Sequence, residues 1–276
     1  MINGQLEQAN ELIAAFKSCM DEPLKNWQGR LRAGVDLGTA NVVVSVVDET
    51  GQPVAGALKP AQVVRDGLVV DYIGAINIVR SLVEKLRATL GAELLIAATA
   101  VPPGTGDRDA RATRYVVESA ELEVVKVVDE PTAASAVLGV RDGAVVDVGG
   151  GTTGISIVKE GEVVYTADEP TGGTHFTLVI SGHYGVSFNE AETMKLDSGR
   201  QPELLPLLRP VMEKVATIVR RHLEGWNVPA VYLVGGAFSF HGFVDVMQRQ
   251  LDVPVLCPAE PLLVTPLGIA LECPAG

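Results

Sequence analysis

The sequence predicts an α/β protein made of two related halves, and three observations lead there. β-Branched runs alternate with segments of helical periodicity along most of the 276 residues. The order of strands followed by alternating helix and strand occurs twice, the pattern of layered α/β folds. A displacement of 111 positions carries Asp36 onto Asp147, Gly38 onto Gly149 and Ser45 onto Ser156. The same displacement carries Val35, Leu37, Val44, Val46 and Val47 onto Val146, Val148, Ile155, Ile157 and Val158. Each half therefore opens with strand, Asp-x-Gly, turn and strand, which is the mark of a duplication.

The elements follow in order. Leu6, Ala9, Ile13, Phe16 and Met20 recur at helical spacing over residues 5–20. After PLKNWQG, the stretch GVDLGTANVVVSVVDETGQPV reads as a β-hairpin turning at its glycines. Residues 73–90 are helical and ELLIAATAVP is a buried strand. Residues 107–120 are helical, ELEVVKVV is a strand, and PTAASAVLG starts a short helix with Pro131 in its first turn. The β pattern returns in GAVVDVGGG, TGISIVKEG and EVVYTA, followed by helices at 174–184, 188–196 and 203–224. AVYLVGG is a buried strand and residues 239–250 are a helix.

Composition narrows the function classes. Mean hydropathy is +0.26 and 47% of residues are hydrophobic, enough for a packed core and too apolar for a disordered chain. The length suits one large or two moderate domains. No apolar run approaches the ~20 residues that span a bilayer, and MINGQLEQANELIAAF lacks the basic region and unbroken apolar core of a secretory signal. A net charge of −12 argues against nucleic acid or an anionic membrane as a partner. Cys19, Cys257 and Cys273 show no CxxC spacing, read as reduced cytoplasmic thiols, and form no metal-ligand pattern with His175, His183, His222 or His241. The histidines read as ordinary helix or loop residues.

VVDVGGGTTGISIV, residues 145–158, concentrates the chemistry. A dinucleotide fingerprint runs from its glycines into a helix, whereas these run into the strand GISIV; a P-loop needs a lysine that is missing. Two readings remain. One is a plain glycine-rich turn. The other is a turn whose exposed N–H groups form a concave anion site, with Thr152 and Thr153 adding hydroxyls and Asp147 holding a metal through water. Asp36, Gly38 and Thr39 supply the same arrangement in the first half. Two carboxylates and two amide-lined turns suit a magnesium polyphosphate.

VDLGTAN, VVDEPTAASAVLG, VVDVGGGTTG, VYLVGGAFSFHGF and VTPLGIAL occur in the order of the five motifs of the actin/Hsp70/sugar-kinase ATPases, over about residues 31–272. RDGLVVDY with VPPGTGDRDARATRYVVESA resembles the chaperone-like proteins of ethanolamine utilisation, and after them the bacterial actin MreB. The resemblance implies an actin-like (ribonuclease H-like) fold of two duplicated lobes with a nucleotide cleft between them. Lobe I would be residues 31–139 completed by 264–276, lobe II residues 140–263, with residues 1–30 an added helix and linker. ATP and Mg²⁺ would be the ligands. Asp36 and Asp147 would position hydrated Mg²⁺; Gly38, Thr39, Ala40 and Asn41 in one turn, and Gly149, Gly150, Gly151, Thr152 and Thr153 in the other, would hold the phosphates. Glu130 would orient the attacking water, as the catalytic partner of Asp147. Gly235 and Gly236 would let the backbone approach the nucleotide, and Glu192 and Lys195 would contact ribose and adenine. A solvated i,i+3 ion pair for Glu192–Lys195 and a plain turn at Gly235–Gly236 stay open.

Gly154 stands where Hsp70-like chains have an acidic residue after GGGTx, Ala40 replaces a second threonine, Thr177 occupies the aspartate position of GGxxFD, and no lysine matches the Hsp70 catalytic one. These departures favour binding over fast hydrolysis. No peptide-binding segment follows VTPLGIAL, so Hsp70-type chaperone action is not expected. The resemblance implies a slow ATPase acting as a chaperone-like or assembly factor in ethanolamine utilisation, cytoplasmic and associated with bacterial microcompartments, with shell proteins or cargo enzymes as partners. The alternatives are an MreB-like filament, a pseudo-ATPase scaffold and, last, a small-molecule kinase. For the N-terminal helix two readings stand: it docks on its own domain with Trp27 anchoring the linker, or it lies in a groove on a partner.

Overall fold

Helix α1 (Ile2–Asp21) opens the chain in a computed structural model that describes residues 2–65 and 67–275; Met1, Asp66 and Gly276 lie outside the described residues. Its buried stripe is Ala9, Ile13, Phe16 and Cys19, spaced three and four apart. Strands β1 (Arg32–Leu37), β2 (Asn41–Val47) and β3 (Pro53–Pro60) follow as an antiparallel meander, one strand more than the expected hairpin. A two-stranded ribbon of β4 (Val64–Arg65) and β5 (Leu68–Val69) leads to α2 (Tyr72–Leu90), capped by the Asp71 carboxylate on the Gly74 N–H. Then come β6 (Ile96–Val101), α3 (Asp107–Glu118), β7 (Glu123–Asp129) and α4 (Glu130–Leu138).

The pattern restarts with β8 (Gly143–Val148), β9 (Thr153–Lys159) and β10 (Glu162–Glu169). Helices α5 (Gly173–Tyr184), α6 (Phe188–Leu196) and α7 (Gln201–Leu223) come next. Pro206 and Pro210 lie inside α7, each removing a backbone donor. The buried stripe of Leu204, Leu208, Met212, Val215, Ala216 and Val219 outweighs that loss. β11 (Val231–Val234) leads through a 3₁₀ turn at Gly236–Ser239 to α8 (Phe243–Gln250). Helix α8 starts later than the sequence suggests because Gly242 sits in the left-handed region, at φ 82°. The short β12 (Val255–Leu256) and α9 (Val264–Glu272) complete the chain.

The chain divides into two compact units, residues 1–140 with 263–276, and residues 141–262. The sheet of the first unit runs β3-β2-β1-β6-β7 and that of the second runs β10-β9-β8-β11-β12. Strand orders and directions correspond, with β1 antiparallel to β2 and parallel to β6, as β8 is to β9 and β11. The displacement of 111 that aligns the sequences also places β1 on β8 end to end.

Each unit has its own core. In the first, the strand residues Val35, Val44 and Val46 meet Val79, Val83 and Leu86 of α2 and Val116 and Val117 of α3. In the second, Val146, Ile155 and Leu233 meet Phe176 and Ile180 of α5 and the α7 stripe. Helix α1 belongs to the first unit, packed on β3, with Trp27 half-buried against that core. Helix α9 also belongs to the first unit, although the whole second unit precedes it in the chain. It crosses α4 so closely that a Cβ at Gly268 would lie 1.8 Å from the Ala133 carbonyl oxygen. The Ser45 hydroxyl donates to the Pro266 carbonyl, and the buried Arg32 guanidinium donates to the carbonyls of Asp48 and Cys273.

Candidate functional site: the Asp-x-Gly turns

In the second unit Asp147 is the penultimate residue of the central strand β8, only 7% exposed, between Gly154 of β9 and Val234 of β11. The residue after β11 is Gly235, at φ 96°. A Cβ there would stand 2.3 Å from Asp147 Oδ1 and 2.4 Å from the Val148 carbonyl oxygen, so only glycine fits beside this carboxylate. Its N–H is fixed by the Pro261 carbonyl at 2.9 Å. Gly236, next along, opens the 3₁₀ turn.

The triple-glycine turn closes with the Gly149 N–H on the Thr152 carbonyl at 3.0 Å. The other faces of its peptide groups are held by a second pair of glycines. The carbonyls of Gly149 and Gly150 accept from the N–H groups of Gly173 and Thr174, at 2.9 and 2.8 Å, in the first turn of α5. A Cβ at Gly172 would lie 2.7 Å from the Gly149 oxygen and 2.8 Å from that of Gly150. Backbone therefore packs on backbone here, and two orphan donors of a helix N-terminus are satisfied by the turn itself. The tandem glycines of TGGTHF were the available signal for this partner.

Thr153 departs from its expected role. It is fully buried in β9, and its hydroxyl proton goes to the Thr171 carbonyl at 2.7 Å, which leaves none for a phosphate. Thr152, 8% exposed, remains with the turn. In the first unit Asp36 lies opposite Val43, and a Cβ at Gly38 would lie 2.9 Å from the Asn41 carbonyl oxygen, which places Gly38–Asn41 in the position of Gly149–Thr152. Thr39 is half-buried and Ala40 exposed, its carbonyl accepting from the Ala61 N–H at 3.0 Å. Glu130 is the first residue of α4, behind the Asp129 cap whose carboxylate accepts from the Thr132 N–H and hydroxyl at 2.9 and 2.7 Å. An acidic residue is favoured there by the helix dipole.

Glu192 and Lys195 are not a solvated pair. Their side chains on α6 are 26% and 13% exposed, with the ammonium 2.7 Å from Glu192 Oε2. The same ammonium donates to the Thr177 hydroxyl at 2.9 Å and to the Gly173 carbonyl at 3.3 Å. The Thr177 hydroxyl donates to Glu192 in turn. The second unit thus brings together Asp147 with Gly235, and Gly149–Gly150 with Gly172–Gly173 and Lys195.

Among the described residues no group of three or more His, Cys, Asp or Glu side chains could hold a metal ion. Magnesium dehydrates reluctantly and takes one or two carboxylates together with phosphate and water. The Asp147 carboxylate at the end of β8, beside a glycine position with no room for a side chain, fits that demand. Nor is any helix of the described residues long and apolar enough to cross a membrane.

Residues 113–263 match the family model of "Type IV pilus assembly protein PilM". Ethanolamine utilization protein EutJ of Escherichia coli K12 is 47% identical over 270 residues, covering 98% of this chain and 93% of that protein. The crystal structure of EutJ from Carboxydothermus hydrogenoformans superposes with a TM-score of 0.91 at 49% identity, covering 96% of this chain and 98% of that one. MreB 5 of Spiroplasma citri bound to AMPPNP shares the fold at a TM-score of 0.70 and 18% identity, over 87% of this chain and 95% of that one. With this identity along nearly its whole length, two like-ordered sheets and a duplicated Asp-x-Gly turn, the chain belongs to the EutJ family of the actin/Hsp70-like ATPase superfamily.

Proposed function

We propose that this protein binds ATP with Mg²⁺ and hydrolyses it slowly, serving as a chaperone-like or assembly factor in ethanolamine utilisation. The observation that carries the reading is the Asp147–Gly235 approach beside the triple-glycine turn, a turn whose counterpart after Asp36 is Gly38–Asn41. Asp147, and in the first unit Asp36, would hold the water shell of an ion that neutralises phosphate charge when bound. Amides of Gly38–Asn41 and Gly149–Thr152 would bind phosphate oxygens, and Gly235–Gly236 would let the backbone approach the nucleotide. Glu130 accepts a proton-side hydrogen bond from the attacking water and orients it. The EutJ relatives support a place in ethanolamine utilisation, and the AMPPNP complex of the distant MreB supports an adenine nucleotide. Microcompartment shell proteins or cargo enzymes are the partners this reading implies, in the cytoplasm.

Thermal denaturation with ATP and ADP, each with and without Mg²⁺, tests it in the wild type and in Asp147→Asn. Ligand at ~100 times its dissociation constant stabilises by roughly 2.7 kcal/mol. The wild type should melt higher with Mg-ATP, and Asp147→Asn should melt like the wild type alone yet lose most of the nucleotide shift. An equal shift in a folded Asp147→Asn protein removes Asp147 from the site.

A further inference from the structure

Lys195 sits where the family resemblance expects a contact to ribose or adenine, yet all three of its ammonium protons are already committed within the second unit. Their acceptors are Glu192 on α6, and Thr177 and the Gly173 carbonyl on α5. Glu192 is on the same helix, α6, and fixes the charge. Thr177 is one turn into α5, and its hydroxyl accepts from Lys195 while donating to Glu192, which closes a ring of three hydrogen bonds between α5 and α6. Gly173 is the first residue of α5, and its own N–H holds the Gly149 carbonyl. The peptide group between Gly173 and Thr174 therefore joins Lys195, at its carbonyl, to the triple-glycine turn, where its N–H donates to the Gly150 carbonyl. A Cβ at Gly173 would be 3.6 Å from both Lys195 Nζ and the Gly149 oxygen, so both lie against this residue.

We propose that Lys195, with Glu192 and Thr177, is a positioning clamp for the triple-glycine turn rather than a contact to the base or sugar. A cation near the N-terminus of a helix opposes the helix dipole, and an isolated Lys195 there would push α5 away from α6. Glu192 neutralises it, and the Thr177 hydroxyl supplies what an aspartate in its place would not: a proton for Glu192. A carboxylate at 177 would face the Glu192 carboxylate at hydrogen-bonding distance across one ammonium, so threonine is the residue that lets the ring close. With the clamp made, Gly173 and Thr174 present their N–H groups at fixed positions to the carbonyls of Gly149 and Gly150. The turn's remaining amides are thereby aimed before any ligand arrives, which is the preorganisation that makes anion binding cheap.

The functional consequence rests on the nucleotide reading above; the clamp itself does not, and two measurements separate them. Hydrogen exchange of the nucleotide-free protein reads the clamp directly. In Lys195→Met the segments 149–153 and 171–176 should exchange about tenfold faster, with β11 and α7 unchanged, and Thr177→Val should give a smaller rise in the same segments. Affinities for ATP and GTP read the consequence: both variants should weaken the two nucleotides by the same factor, since a displaced phosphate turn is blind to the base. Unchanged exchange in both variants overturns the clamp, as does loss of protection spread evenly over the second unit in both. A variant that weakens ATP but spares GTP returns Lys195 to the base. If wild-type protein binds neither nucleotide, the nucleotide reading falls and the exchange measurement alone judges the clamp.

Discussion

Gly235 bears two constraints at once, a left-handed backbone at φ 96° and the Asp147 oxygen 2.3 Å from where its Cβ would be. Strain of the first kind alone costs ~1–3 kcal/mol, and the second cannot be relieved by rotating a flexible side chain because Val148 backbone stands beside it. Gly235→Ala should therefore lower the urea stability by about 2 kcal/mol or more; a change within about 0.5 kcal/mol contradicts the geometry. A second residue-scale expectation lies outside the site. Glu169 is held below the usual carboxylate range, first by its hydrogen bond from His222 at 2.8 Å and further by Arg221 at 2.9 Å, against the opposing effect of burial. His222 in turn meets the Tyr165 hydroxyl at 2.7 Å. A depressed carboxylate stabilises the fold above its unfolded pKa and loses that contribution as the pH falls through the folded value. The stability gap between wild type and Glu169→Gln should thus be full above about pH 5 and shrink below about pH 4. A gap that widens in acid contradicts the assignment. Nothing in the sequence pointed to this cluster, since Tyr165 and His222 are 57 positions apart and each sits in an otherwise ordinary amphipathic pattern.

At the scale of elements, α1 is the clearest case of a stripe that finds its cover within its own unit. Ile13 and Phe16 are at most 1% exposed, and truncating a buried phenylalanine costs ~3–5 kcal/mol. Phe16→Ala should lose stability in that range, and removing residues 1–28 should give a protein that melts many degrees lower or aggregates; an unchanged melting temperature contradicts the docking. The strands and amphipathic helices were legible because β-branched alternation and 3.6-residue periodicity are local signals. Helix α9 was legible only as a motif, VTPLGIAL. All seven residues from Val264 to Ala270 are buried, so its apolar residues have no polar face to set a period, and Pro266 and Gly268 read as breakers. Pro266 is tolerated in the first turn, and Gly268 is where α4 crosses. The ribbon β4–β5 and strand β12, two residues per strand, are too short to carry a period. In the turn, the sequence offered Thr152 and Thr153 alike; only the strand phase of β9 turns the second hydroxyl inward to Thr171.

Across the whole molecule, the duplication was readable from Asp36 and Asp147, and the allotment of residues 264–276 to the first unit came from the family resemblance alone, because it is a matter of tertiary packing that no local pattern encodes. It makes the two units unequal. Residues 141–262 are one continuous stretch with a closed core of their own, whereas the first unit needs Val264, Leu267, Ile269 and Ala270 against β1 and α4. A fragment of residues 141–262 should give cooperative unfolding and dispersed amide resonances, and a fragment of residues 1–140 should not until a peptide of residues 263–276 is added. Folding of both fragments alone would show that α9 is dispensable. The same inequality sets an order of events during synthesis. A ribosome delivers residues at about 5–20 per second, and domains fold as they emerge. Here the half that emerges first must wait, its sheet uncovered where α9 will lie, until the half that follows has been made. The open face is then exposed for about 6–25 seconds of translation, long enough for a nascent-chain binder to find it, so the demand for such a helper falls on the first unit and ends when the last helix docks.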